Sequence, residues 1–80
     1  MKRKCGLNAL DIGECARVLR LDNSGSIRRR LQDIGLVEGT EVECVLKAPS
    51  GDPSAFLIKG AVIAIRDDDS KKILVRCGYE

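Results

Sequence analysis

Apolar and polar residues alternate most cleanly between Glu41 and Ala48. Val42, Cys44, Leu46 and Ala48 fall on one face, and Glu41, Glu43 and Lys47 on the other. A period of two predicts a half-buried strand with the first set inward. Pro49-Ser50-Gly51-Asp52-Pro53 ends it with a dense turn signal. Cys15 to Leu21 alternates less regularly, but Gly13-Glu14 and Asp22-Asn23-Ser24-Gly25 frame it as a strand. Ala55 to Lys59 and Ala61 to Ile65 read as two further short strands, with Gly60 between them at a bulge or sharp bend. Ile73 to Cys77 reads as the last strand.

The pattern changes period once. Ile27, Leu31 and Ile34 form a single helical stripe, with Arg28, Arg29 and Gln32 off it and Arg30 on its flank. Ser24 or Ser26 is placed to cap the helix, and Gly35 sits where a left-handed residue commonly ends one. A helix of about two and a half turns is not stable alone, so its stripe must dock on something. Asp67-Asp68-Asp69-Ser70 reads as a turn or a single helical turn, with carboxylates favourably near its N-terminus. Residues 1–7 form a basic lead-in, and Leu7, Leu10 and Ile12 precede a tight turn at Gly13.

Eighty residues make one domain, spanning 1–80. About five short strands and one short helix leave too little chain for parallel crossovers. The expected architecture is mainly β: a small, strongly bent antiparallel barrel with one inserted helix. Its corners fall at Gly13, Gly39, Gly51 and Gly60, and closure would remove exposed strand edges. Phe56 and Tyr79 are the only rings, so the core must be aliphatic.

Charge and chemistry then narrow the function. A net charge of +2 is too small to draw a nucleic-acid or membrane partner by long-range attraction. Lys2-Arg3-Lys4, Arg28-Arg29-Arg30 and Asp67-Asp68-Asp69 are short charged runs of the kind expected on a solvated surface. The basic start is not followed by an apolar stretch, because Asn8, Asp11 and Gly13 interrupt it, and no run is long enough to span a bilayer. A cytoplasmic location is expected, without direct membrane insertion.

Four cysteines occur without a Cys-x-x-Cys pair and without any histidine, so the usual zinc spacings are absent. Cys15, Cys44 and Cys77 lie in strand-like runs and are expected to be small buried hydrophobes, whereas Cys5 in the lead-in is expected to be exposed. The lack of histidine also removes the commonest general base. No Gly-x-Ser-x-Gly elbow or phosphate-binding glycine loop is present, and an enzyme is not expected. Asp67, Asp68 and Asp69 are hard oxygen ligands, but adjacent carboxylates on a turn bind divalent ions weakly, so no cofactor or firm metal site is expected. An RNA-binding barrel would pair a basic groove with exposed rings for base stacking, and the arginine run has no ring beside it.

One ordered set of residues carries more information than its parts. It comprises Leu10, Gly13 and Val18; then Arg30, Leu31, Asp33, Gly35, Leu36, Gly39 and Thr40; then Gly51-Asp52-Pro53; then Gly60, Ile63, Ala64, Ile65, Arg66, Ile73 and Val75. This set resembles the ferrous iron transport protein A (FeoA) family over roughly residues 7–76, with departures only at Asp69 (Glu in the pattern) and Ser70 (Ala). The resemblance implies an SH3-like β-barrel and a non-catalytic cytosolic role beside a FeoB-type membrane GTPase transporter. It names no contact site. The residues suggest one: Arg28, Arg29 and Gln32 on the outer helix face, with Leu36 and Val37 offering apolar surface at the helix exit. The same barrel also resembles the C-terminal domain of iron-dependent repressors, which would make the chain a stand-alone regulatory module. The sequence leaves the oligomeric state open.

Overall fold

The computed structural model describes residues 2–78, so Tyr79 lies outside the described residues. Six strands form one antiparallel sheet: β1 (Lys2–Gly6), β2 (Cys15–Leu21), β3 (Glu41–Lys47), β4 (Ser54–Ile58), β5 (Ala61–Ile65) and β6 (Ile73–Gly78). Their order across the sheet is β1-β6-β2-β3-β4-β5. Helix α1 (Gly25–Asp33) follows β2, and a helical turn, α2 (Asp67–Ser70), follows β5. The mainly β, bent, single-helix architecture is as the sequence predicts.

The lead-in differs from expectation. Residues 2–6 form a strand that pairs with β6 from Lys2↔Gly78 to Gly6↔Leu74. Their charged side chains hide the signal, because a strand on the outside of a sheet needs backbone partners more than an apolar face. Cys5 consequently lies half-buried against the core instead of loose and exposed. The short 3-10 turn that follows buries Leu7 and Leu10 completely, while Ile12 is left exposed.

The core joins Leu7, Leu10, Val18, Leu31, Leu36, Val42, Phe56, Ile58, Ile73 and Val75 with buried Cys44 and Cys77. Phe56 is the largest of its fully buried side chains and has no exposed surface. Two bulges interrupt the alternation. In β2 the register with β6 shifts between Val18 and Arg20, so burial passes from Val18 to Leu21. In β3 the register with β4 shifts between Cys44 and Leu46. That extra residue turns Leu46 outward, where it is 61% exposed, contrary to the inward position that simple alternation gives it.

Helix α1 ends as the glycine signal predicts. Gly35 adopts φ 106°, its N–H donates to the Gln32 carbonyl at 3.0 Å, and the Leu36 N–H donates to the Leu31 carbonyl at 3.0 Å. This is the paired bonding of a Schellman cap, which brings Leu36 back onto Leu31. Thr40 Oγ1 then donates to the Gly35 carbonyl at 2.8 Å and latches the exit loop. Gly60 marks the sharp bend expected between two short strands. With Lys59 it forms the two-residue loop of the β4–β5 hairpin, at φ 48° and 84°, the primed geometry that suits strand twist.

The ladder does not close. Among the described residues, β1 and β5 remain the two edges of the sheet, so the expected removal of edges by closure does not occur. The stripe of α1 lies across from β5 instead.

Candidate functional site

The five residues proposed from the sequence separate in space. Arg29 and Gln32 are exposed on the outer face of α1. Arg28 turns back, and its Nη1 donates to the backbone carbonyl of Leu21, tying the helix to the end of β2. Leu36 is fully buried by the cap described above, so it offers no apolar surface at the exit loop; Val37 next to it is 42% exposed. Alternation and helical spacing do not reach into a loop, so the sequence pattern does not distinguish the two residues.

The three aspartates do not converge. Asp67 accepts a hydrogen bond from Asn8 Nδ2 at 3.1 Å, and Asp68 faces solvent beside Lys71 at 3.5 Å. Asp69 is half-buried on another side of the turn. Successive helical residues point about 100° apart, so the three carboxylates leave the turn in different directions. Among the described residues, no group of three or more histidine, cysteine, aspartate or glutamate side chains is arranged to hold a metal.

Among the described residues, two depressions stand out on the surface. One, of about 400 Å³, lies on the outer face of β2, β3 and β4, with Cys15, Glu41, Glu43, Leu57 and Lys59 in its wall. Cys15 is exposed, contrary to the buried position expected of it, yet desolvation of its thiol by the surrounding wall, followed by the nearby Glu43 and Glu41 carboxylates, pushes its pKa up. A thiol held in its protonated form is a poor nucleophile. The second depression, of about 360 Å³, is a groove between α1 and β5. Ile27, Leu31 and Ile34 form one wall, and Ile63 and Ile65 the other. Arg30 and Arg66 stand at its rim, with Asp69 also lining it. The sequence places Ile27, Leu31 and Ile34 on a docking stripe but gives no sign that the stripe only partly covers β5.

A family-level comparison places this geometry. The FeoA domain model matches residues 5–77. The chain belongs to the FeoA family. A FeoA-like protein from Clostridium acetobutylicum shares 35% identity and superposes with a TM-score of 0.86, covering 100% of this chain and 93% of that one. FeoA from Stenotrophomonas maltophilia, described as a prokaryotic SH3 domain protein and solved with zinc, shares 30% identity at a TM-score of 0.78, covering 88% and 87% of the two chains. The SH3-like fold expected from the resemblance is therefore the fold of the family. A curated relative from Porphyromonas gingivalis is an Fe(2+) transport protein A/Fe(2+) transporter FeoB fusion protein, 32% identical over 69 residues. The match spans 86% of this FeoA chain but only 8% of that relative's length. A manganese-dependent transcriptional repressor shares the fold at a TM-score of 0.83 and 15% identity, covering 98% of this chain and 44% of the repressor.

Proposed function

We propose that this FeoA-family chain is a non-catalytic cytoplasmic accessory of ferrous iron uptake that acts by binding a FeoB-type membrane GTPase transporter. The observation that carries this reading is the Porphyromonas gingivalis relative, in which a matching domain and an Fe(2+) transporter FeoB form one polypeptide. Two functions joined in one chain work at high mutual concentration, and a separate domain must replace that linkage with an interface. No helix among the described residues is long and apolar enough to cross a membrane, so the reading requires contact from outside the bilayer. The exposed Arg29, Gln32 and Val37 of α1 and its exit loop are available for such contact. The reading assigns the chain no resident cofactor, no catalytic group and no nucleic-acid partner.

The test is an affinity pull-down from detergent-solubilised native cells with the folded chain as bait. Recovery of the membrane transporter is the expected result. Recovery of a DNA-binding repressor or of RNA, with no transporter, overturns the reading and leaves the family assignment to describe the fold.

A further inference from the structure

Strand β5 is an edge without the usual protection. Its five residues, Ala61-Val62-Ile63-Ala64-Ile65, carry no charge and no proline. Edge strands are ordinarily blunted by such residues or by a covering element, because their unpaired backbone groups invite another strand. The hairpin register says which groups are free. The two-residue loop makes Ile58 and Ala61 a hydrogen-bonded pair, and pairing alternates along Leu57↔Val62, Phe56↔Ile63, Ala55↔Ala64 and Ser54↔Ile65. The N–H and C=O groups of Ala61, Ile63 and Ile65 therefore face β4, while those of Val62 and Ala64 face outward. Among the described residues, neither takes part in a backbone hydrogen bond outside the regular ladder.

Beside this edge runs the groove shared with α1. A free strand edge flanked by a helix, with an apolar floor between them, is the arrangement by which an extended peptide is taken up as an added strand. Backbone bonds then supply affinity, and alternate side chains enter the floor. The rim specifies charge. Arg30 and Arg66 are both exposed, and among the described residues neither makes an ion pair, in contrast to Arg3 and Arg20. With Asp69 also in the wall, the groove keeps a net charge of about +1 from these three side chains. A second copy of the chain would bring the same positive rim against it, which disfavours self-pairing.

We propose that the β5 edge and the α1 groove bind an extended acidic segment of the transporter, taken up as a seventh strand, with an apolar residue against Ile27, Ile34 and Ile63 and carboxylates on Arg30 and Arg66. The proposal rests on the transporter reading above and specifies its surface. Ala64→Pro removes an outward N–H without removing a bond to β4. Arg30→Glu with Arg66→Glu reverses the rim at exposed positions and leaves the fold intact. The probes are overlapping synthetic peptides spanning the cytosolic segments of the transporter recovered in the pull-down, assayed against the full chain, with the pull-down repeated for each variant. The expected result is selection of an acidic peptide that protects the Val62 and Ala64 amides from hydrogen exchange. Its affinity should fall at least about tenfold in the charge-reversed variant, and likewise in Ala64→Pro. If the transporter is recovered equally by wild type and by the charge-reversed variant, the groove is excluded while the transporter reading stands. Selection of basic peptides, unchanged exchange at Val62 and Ala64, or a concentration-dependent dimer paired through β5 also overturns the proposal. Failure to recover the transporter at all removes both.

Discussion

The carboxylate of Asp52 accepts a hydrogen bond from the backbone N–H of Asp67 at 2.9 Å, across fifteen positions of sequence. Asp67 is the first residue of α2, where backbone N–H groups have no helical partner and a negative charge is favoured. The Gly51-Asp52-Pro53 turn thus reaches over to close the segment between β5 and β6. Asp52→Ala should lower stability by roughly 0.5–2 kcal/mol, the usual cost of a lost cap, measured by urea denaturation. Transporter recovery should be unchanged, because this contact holds the fold and not a partner.

Two leucines reverse their apparent roles. Leu46 stands in a strand with inward parity yet is 61% exposed, and Leu36 stands in a loop yet has no exposed surface. Leu36→Ala should cost about 2–5 kcal/mol through lost burial and the cavity left behind. Leu46→Ala should stay within about 0.5 kcal/mol of wild type. Equilibrium unfolding of the two variants side by side decides whether bulge and cap are placed as described.

Thiol labelling separates the four cysteines. Cys15 is exposed, Cys5 is half-buried, and Cys44 and Cys77 are buried. Iodoacetamide followed by peptide mass spectrometry should find Cys15 modified first in the native protein, and Cys44 and Cys77 only after unfolding. The raised Cys15 pKa makes the thiolate scarce at neutral pH, so its rate should climb steeply as pH rises. Glu43→Gln should speed labelling at neutral pH by removing a carboxylate that opposes the thiolate.

Glu14 links the first two strands. Its Oε1 accepts the Asp11 N–H at 3.0 Å, and its Oε2 lies 3.1 Å from Arg3 Nη1. The Asp11 hydrogen bond first, and the Arg3 partner next, hold its carboxyl below the ordinary value. A depressed folded pKa gives a contribution that is present above the unfolded carboxylate value, near 4.3, and is lost as pH falls through the folded one. The pair is largely solvated and screened, so the contribution is small. Thermal melts should show Glu14→Gln falling slightly short of wild type at neutral pH and converging with it as pH falls through the depressed folded pKa, below the unfolded carboxylate value.

Local chemistry was legible wherever a few neighbouring residues decide the outcome. The Ile27, Leu31 and Ile34 stripe and the left-handed exit at Gly35 follow from stereochemistry within one or two turns, and the corners at Gly13, Gly39, Gly51 and Gly60 do so too, each with positive φ. The ordered pattern from Leu10 to Val75 carried the family in the same way. Tertiary structure decided what depends on residues far apart. The charged segment from Lys2 to Gly6 is a strand only because β6 offers it a ladder. The outward turn of Leu46 requires the β4 register, and the burial of Leu36 requires the core it returns to. The groove is of the same kind. Neither the α1 stripe nor β5 shows in its own residues that the two meet incompletely, because a free edge is defined by the neighbour that does not pair with it.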